Sequence, residues 1–278
     1  MGGRYSRRTL ARELVLVGVA IVYCLPFYLL VAIALETTAQ TYTRPMSFPW
    51  PPHFGNFSGA WGTSGQAGLG HPLVSSLIIT VSSVAGLILV GSIAAYAIAR
   101  RRGRLSNALY IAFVIGIILP FQLAILPLFI AMKDLGLVGH YLGFIILNVG
   151  LLMPLTVFLY TGFIRALPRD YEEAACVDGA GVLRTYARVV FPLLLPITAT
   201  VAVLTGLIVW NEFFLALIFL IGSHSETLPV ALYSFVNDNG ARWNLIFAGI
   251  AIAVAPVLVF FLFTQRHLIK GFTAGVKG

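Results

Sequence analysis

The sequence predicts an all-α integral membrane protein with about six transmembrane helices. Three observations lead there. Of 278 residues, 59% are hydrophobic and only 10% are charged, whereas roughly a quarter of an ordinary soluble domain is charged. The mean hydropathy is +0.93, and a soluble chain of this length could not bury that much apolar surface in a core of its own. The apolar residues also gather into six runs, each near the ~20 residues that a helix needs to cross a bilayer core.

The runs lie at 14–35, 73–99, 108–131, 141–164, 196–221 and 245–264, in a single membrane domain covering 1–278. Ala32-Ile33-Ala34 imitates a signal-peptide cleavage site. The apolar stretch before it is far longer than the 7–15 residues of a typical signal core, so the first run is expected to be a retained span. An even number of spans puts both termini on one side. Arg4, Arg7, Arg8, Arg12, Arg100, Arg101, Arg102, Arg104, Arg165, Arg169, Arg184, Arg188, Arg266, Lys270 and Lys277 fall on that side, against Arg44, Lys133 and Arg242 on the other. This positive-inside bias makes both termini cytoplasmic. It also accounts for the net charge of +8 without nucleic acid, because the cations are spread over several segments rather than along one stripe.

Several chemistries are not expected. No Gly-x-x-x-x-Gly-Lys-Ser/Thr loop is present to cradle ATP phosphates. The glycines of 65–70 lie in an outer loop without a strand or helix frame, and the histidines at 53, 71, 140, 224 and 267 have no metal-ligand spacing. Cys24 and Cys176 sit in unlike surroundings and are expected to be unpaired, small buried hydrophobes. Asn56-Phe57-Ser58 fits a glycosylation sequon, a frequent chance match. The chain is expected to have no catalytic residues, no metal and no cofactor of its own.

The 165–195 loop carries the most information. Asp170 is a suitable N-cap, and Glu173 stands three residues on, as a capping box requires. Glu172 and Glu173 in the first turn suit the helix dipole, and Ala174 and Ala175 favour helix. Gly179 is placed for a C-terminal cap, a second helical stretch spans 182–190, and Pro192 and Pro196 mark the entry to the fifth run. On these residues alone, the segment reads first as a solvated, charged connection between spans.

Glu173-Ala174-Ala175, Gly179 and Val189-Val190-Phe191-Pro192 carry the spacing of a known pattern and resemble the EAA loop of ABC importer permeases. Val189 and Phe191 replace the pattern's Ile and Leu and keep it apolar. Trp210-Asn211-Glu212-Phe213 with Ala216-Leu217 resembles the fifth-helix signature of maltose-type carbohydrate importers. The tail 265–278 is similar to that of the second, six-helix permease of such systems. Ser75-Ser76-Leu77 departs from the family's Asn-Ser-Leu.

The resemblance implies a permease subunit in a bacterial plasma membrane. Its partners would be a second permease, two ATP-binding subunits that hold ATP and magnesium, an extracytoplasmic substrate-binding protein, a sugar and the lipid bilayer. Glu172, Glu173, Ala174, Ala175, Asp178, Gly179 and Ala180 would form the coupling helix that docks on an ATPase. Asn211, Glu212 and Phe213 would face the translocation pathway.

Glu212 is also the one acidic residue well inside a span, and reads equally as a pathway group or a structural hydrogen-bonder. Tyr96, Asn148, Tyr160 and Phe213 are candidate sugar contacts by residue type. The 222–244 loop reads as a plain connection or as an arm toward a binding protein. Other classes remain open on the residues: a stand-alone secondary transporter, which calls for inverted repeats and intramembrane ionisable clusters, or a membrane scaffold without transport.

Overall fold

The computed structural model describes residues 7–44, 47–62, 68–101, 103–237 and 240–275. Arg4, Gly65, Arg102, Asp238, Asn239, Lys277 and the end of the C-terminal tail lie outside the described residues.

The described chain is helical almost throughout. Helix α1 covers Arg7–Leu35, followed by the short α2 (Thr38–Thr43) and α3 (Gly55–Trp61). Helix α4 (Gly70–Gly86) passes through a π-turn, Leu87–Gly91, into α5 (Ser92–Arg100). Next come α6 (Arg104–Ile118), a 3₁₀ turn at Phe121–Ala124, α7 (Ile125–Asp134) and α8 (Tyr141–Ala166). The loop after it holds α9 (Asp170–Val177), α10 (Val182–Thr185), a second π-turn at Tyr186–Val190, and α11 (Phe191–Leu193). Helices α12 (Leu195–Trp210), α13 (Phe214–Leu220) and α14 (Leu228–Tyr233) follow. A two-residue antiparallel pair, β1 (Val236–Asn237) with β2 (Gly240–Ala241), precedes the last helix, α15 (Trp243–Gly275).

Among the described residues, four helical stretches are long and apolar enough to cross a membrane: Leu10–Leu35, Gly70–Arg100, Tyr141–Ala166 and Trp243–Leu262. The count rises to six when two bent pairs are each taken as one span. Arg104–Ile118 meets Phe121–Asp134 at 93°, because Pro120 forces the preceding Leu119 out of helical geometry. Val182–Leu193 meets Leu195–Trp210 at 74°, with Pro196 in the first turn of α12, where its missing N–H costs nothing. The expected run 196–221 is therefore two helices, α12 and α13, with an interruption at 211–213.

Contacts divide the chain into two units, one of residues 1–71 with 231–256 and the other of 72–230 with 257–278. In the first unit, Thr37 and Gln40 form a capping box that starts α2: Gln40 N–H donates to Thr37 Oγ1 at 3.3 Å, and Thr37 N–H donates to Gln40 Oε1 at 2.8 Å. Asn56 ties the end of α1 to the start of α15. Its Nδ2 donates to the carbonyls of Ala34 and Glu36 at 2.8 Å each, and its Oδ1 accepts from Asn244 Nδ2 at 2.8 Å. These two carbonyls sit at the C-terminal end of α1, where helix carbonyls lack intrahelical donors. The sequon asparagine is thus buried in a structural bond network.

Glu36, just beyond α1, is fully buried, and neither carboxylate oxygen has a hydrogen-bond partner among the described residues. Burial pushes its carboxyl above the ordinary 4.5. The folded chain then holds the proton to a higher pH than the unfolded chain does. The group's stabilisation is complete below the ordinary carboxyl value and is lost as pH rises through the raised one. Glu36→Gln is expected to melt higher than the parent at about pH 8, with the gap closing toward about pH 4. Melting curves in detergent across that range check this, and a gap that does not change with pH would contradict it.

The second unit has two apolar clusters. One gathers Ile79, Phe144, Leu147, Val209, Leu215, Phe219 and their neighbours. The other gathers Ala95, Ile98, Val157, Tyr160, Ile164, Tyr186, Val190, Leu194 and Val201. A close approach fixes the second cluster: a Cβ at Gly91 would sit 2.5 Å from Thr156 Cγ2 of α8, so only glycine lets these helices meet at that point. Ser75 and Ser76 are both buried. Ser75 Oγ shares a hydrogen bond with Tyr141 Oη at 2.8 Å, and Ser76 Oγ accepts from Leu228 N–H at 2.8 Å.

Candidate functional site

The loop after α8 is built by local chemistry. The chain leaves α8 in extended geometry at Leu167, the residue before Pro168, where proline disfavours helix. Helix α9 then starts on the carbonyl of Arg169, which accepts from Glu172 N–H at 2.9 Å and Glu173 N–H at 3.0 Å. The expected capping box is therefore absent. Asp170 is already helical, and the N–H it would have accepted, that of Glu173, is committed to Arg169. The three acids Asp170, Glu172 and Glu173 still lie in the first turn, where the helix dipole favours them.

The C-terminal end follows the expected glycine cap. Gly179 has φ +81°, the left-handed region that glycine enters without a steric penalty. Ala180 N–H donates to Ala175 O at 2.9 Å and Gly179 N–H to Cys176 O at 3.0 Å, the two bonds of a Schellman motif. A Cβ on Gly179 would meet nothing within 4 Å, so its backbone angle alone calls for glycine within this chain.

Helix α9 has no buried residue. Glu173, Ala174 and Asp178 are exposed, while Ala175 and Ala180 are half-buried. Three apolar side chains at the tip are markedly exposed: Val177 at 88%, Val182 at 76% and Leu183 at 75%. They were not anticipated from the sequence, because a short loop has no periodicity to mark them.

Glu172 differs from its neighbour. Its Oε1 accepts from Arg100 Nε at 2.7 Å and its Oε2 from Tyr96 Oη at 3.0 Å. Arg100 Nη2 also donates to Leu167 O at 3.2 Å. The ion pair is shielded, with side chains only 12% and 16% exposed for Arg100 and Glu172. Further along α5, Ser92 Oγ and Tyr186 Oη share a hydrogen bond at 2.6 Å, and the Tyr96 and Tyr186 rings lie 5.2 Å apart. The sequence marks Arg100 only as a topology determinant, and Tyr96 as one candidate sugar contact. Both instead engage the loop.

At the second candidate position, the interruption at 211–213, the polar groups cap helix ends. Asn211 Nδ2 donates to Leu207 O at 2.8 Å, one of the last carbonyls of α12. Glu212 Oε1 accepts Leu215 N–H at 2.8 Å in the first turn of α13. Phe213 packs against the first apolar cluster. The structure thus gives Asn211 and Glu212 a capping role and brings all three residues together at a helix break. Of the other candidate sugar contacts, Tyr160 Oη donates to Thr198 Oγ1 at 3.0 Å and Asn148 Nδ2 to Phe144 O at 2.8 Å. In the following loop, Glu226 Oε1 accepts Gly222 N–H at 2.6 Å.

A multi-pass helical membrane protein with a capped helix presented between two spans, and a broken span just beyond, has the form of a transport subunit. The chain belongs to the family of binding-protein-dependent transport system inner membrane components, which its residues 87–273 match. It is 38% identical over 278 residues to the melibiose/raffinose/stachyose import permease protein MelC of Bacillus subtilis strain 168, covering 98% of this chain and 99% of that protein. It is 33% identical over 256 residues to the probable starch degradation products transport system permease protein AmyC of Thermoanaerobacterium thermosulfurigenes, covering 90% of each. The fold resembles a chain in the crystal structure of a bacterial ABC transporter involved in the import of the acidic polysaccharide alginate. The TM-score there is 0.77 with 21% identity, covering 95% of this chain and 99% of that one. Family membership sets aside the stand-alone transporter and the non-transport scaffold: this is a permease subunit.

Proposed function

We propose that this chain is one of two permeases in an ABC importer for a sugar or oligosaccharide. Two ATP-binding subunits carrying ATP and magnesium would drive it, and an extracytoplasmic binding protein would supply it. The chain would lie in a bacterial plasma membrane with both termini cytoplasmic, as the Lys/Arg asymmetry argues. Names of relatives such as MelC and AmyC support a saccharide cargo.

The observation that carries the proposal is the Schellman-capped helix α9, which buries none of its residues and ends in the exposed Val177, with Val182 and Leu183 of α10 exposed just beyond. Apolar side chains so exposed on a polar loop suit a cleft on another protein. Glu173 supplies a negative charge for a basic group on that partner, and Ala174 and Gly179 leave room for close approach. The break at 211–213 supports a pathway role for Asn211, Glu212 and Phe213. Non-helical backbone at membrane depth is tolerated where it is buried in protein or lines a water-filled path.

Affinity purification from membranes, followed by ATPase assay of the product, tests the proposal. Recovery of a second permease and an ATP-binding subunit, with hydrolysis stimulated by a binding protein loaded with raffinose or maltotriose, is the expected result. A chain that purifies from native membranes without any ATP-binding subunit would overturn it.

A further inference from the structure

We propose that Ser92, Tyr96 and Arg100 form a receiving stripe through which displacement of α9 is passed to the second span. The proposal rests on α9 being the segment that an ATPase moves. The three residues are spaced by four along α5, so they share one helix face. Together they hold the 165–195 loop at separate places: Arg100 and Tyr96 share the Glu172 carboxylate in the first turn of α9, Arg100 also holds the Leu167 carbonyl, and Ser92 holds the π-turn through Tyr186.

Two features make this a clamp rather than an incidental surface pair. Helix α9 buries none of its own residues, and none of them joins the apolar cluster that holds α5. And both oxygens of Glu172 are taken, one by a guanidinium and one by a phenol. That removes the carboxylate's freedom to rotate, and the shielding keeps the pair little screened by salt. Charge-assisted bonds of this kind are stronger than neutral ones. On its other side α5 is set into the body through Ala95 and Ile98, which lie in the cluster with Val157, Tyr160 and Ile164 of α8. A push on α9 therefore reaches the second span through Glu172, while Glu173, one residue on, stays exposed for the partner.

Tyr96 and Arg100 are positioning residues on this account, and the test reads position. In a background of Cys24→Ser and Cys176→Ser, spin labels are placed at Arg169→Cys, beside the first turn of α9, and at the exposed Ala97→Cys on α5. Their dipolar coupling is measured in the assembled complex with and without magnesium-ATP and vanadate. In the parent the separation is expected to be narrow and unchanged by trapping. With Arg100→Gln or Tyr96→Phe the separation distribution should shift on trapping and roughly double in width, while ATP-binding subunits still co-purify and basal hydrolysis stays within about twofold. Arg100→Lys, which keeps the charge, should restore much of the narrow distribution. A parent separation that itself changes on trapping would overturn the clamp, as would variants as narrow and unresponsive as the parent. Loss of the ATP-binding subunit from the variants alone would also overturn it, since the stripe would then serve docking. Absence of that subunit from every sample, parent included, would instead refute the role of α9.

Discussion

Uptake driven by ATP is expected to be abolished by Glu173→Lys, with insertion and chain abundance unchanged. The side chain is exposed in the first turn of a helix that buries nothing, so the substitution removes no internal contact of that helix. Reversing its charge turns an attraction across the proposed contact into a repulsion, and like-charge juxtaposition at an interface costs several kcal/mol. That is enough to reduce uptake by at least roughly a hundredfold.

Gly179 sharpens the test. Asparagine tolerates the left-handed conformation better than most residues, and a Cβ at this position meets nothing within 4 Å inside the chain. Gly179→Asn should therefore leave the isolated permease folded, with a stability loss of about 1 kcal/mol or less. If the open space is filled by another subunit, uptake fails all the same, and Gly179→Asp fails at least as severely. Near-normal uptake by Gly179→Asn would reduce this glycine to a helix cap. Vesicle uptake assays, normalised to permease content, give the comparison.

The largest stability effect is expected at Asn56. Replacing it with Leu strands the carbonyls of Ala34 and Glu36 and the Asn244 amide, all of which it now satisfies. Each buried group left unpaired costs about 1–3 kcal/mol, so three such groups amount to roughly 3–9 kcal/mol before any relaxation. Asn56→Leu should lower the melting temperature in detergent sharply and reduce the yield of monodisperse protein. Asn56→Asp, which keeps the acceptor for Asn244 but sets a carboxylate oxygen against the same two carbonyls, should be at least as destabilising near neutral pH. A melting temperature equal to the parent's would show that this bridge does not hold the first unit together.

What the sequence disclosed divides along a physical line. Features encoded within one helical turn could be read. Gly179 ends α9 because a left-handed residue was needed there, and Pro196 lies where α12 begins; the break at Pro120, inside the expected run 108–131, was not read. The apolar runs could be read because lipid imposes a length on them. Features made by pairing distant residues could not. Arg100 meets Glu172 across 72 positions, and nothing in either neighbourhood sets it apart from the other basic residues counted for topology. Asn56 looked like a modification sequon because the three residues give no sign of the carbonyls they would meet. The capping box failed by one residue: the helix starts at Asp170 with Arg169 at the cap, and the Arg169 carbonyl took the N–H that the Asp170 side chain would have accepted. The interruption at 211–213 falls inside an unbroken apolar run, where hydropathy sees one span and the capping by Asn211 and Glu212 makes two helices.

Cys176 provides the most direct test that α9 docks on an ATP-binding subunit. Contrary to the burial expected of both cysteines, Cys24 and Cys176 are exposed, Cys176 because α9 buries none of its residues; Cys24→Ser leaves Cys176 the chain's only cysteine. Labelling with a membrane-impermeant maleimide is measured in right-side-out and inside-out vesicles, with and without the ATP-binding subunits. The expected result is labelling from the inner face only, suppressed when those subunits are bound, together with a thiol-directed cross-link from Cys176 to one of them. Labelling from the outer face, or equal labelling with and without the subunits, would contradict the account.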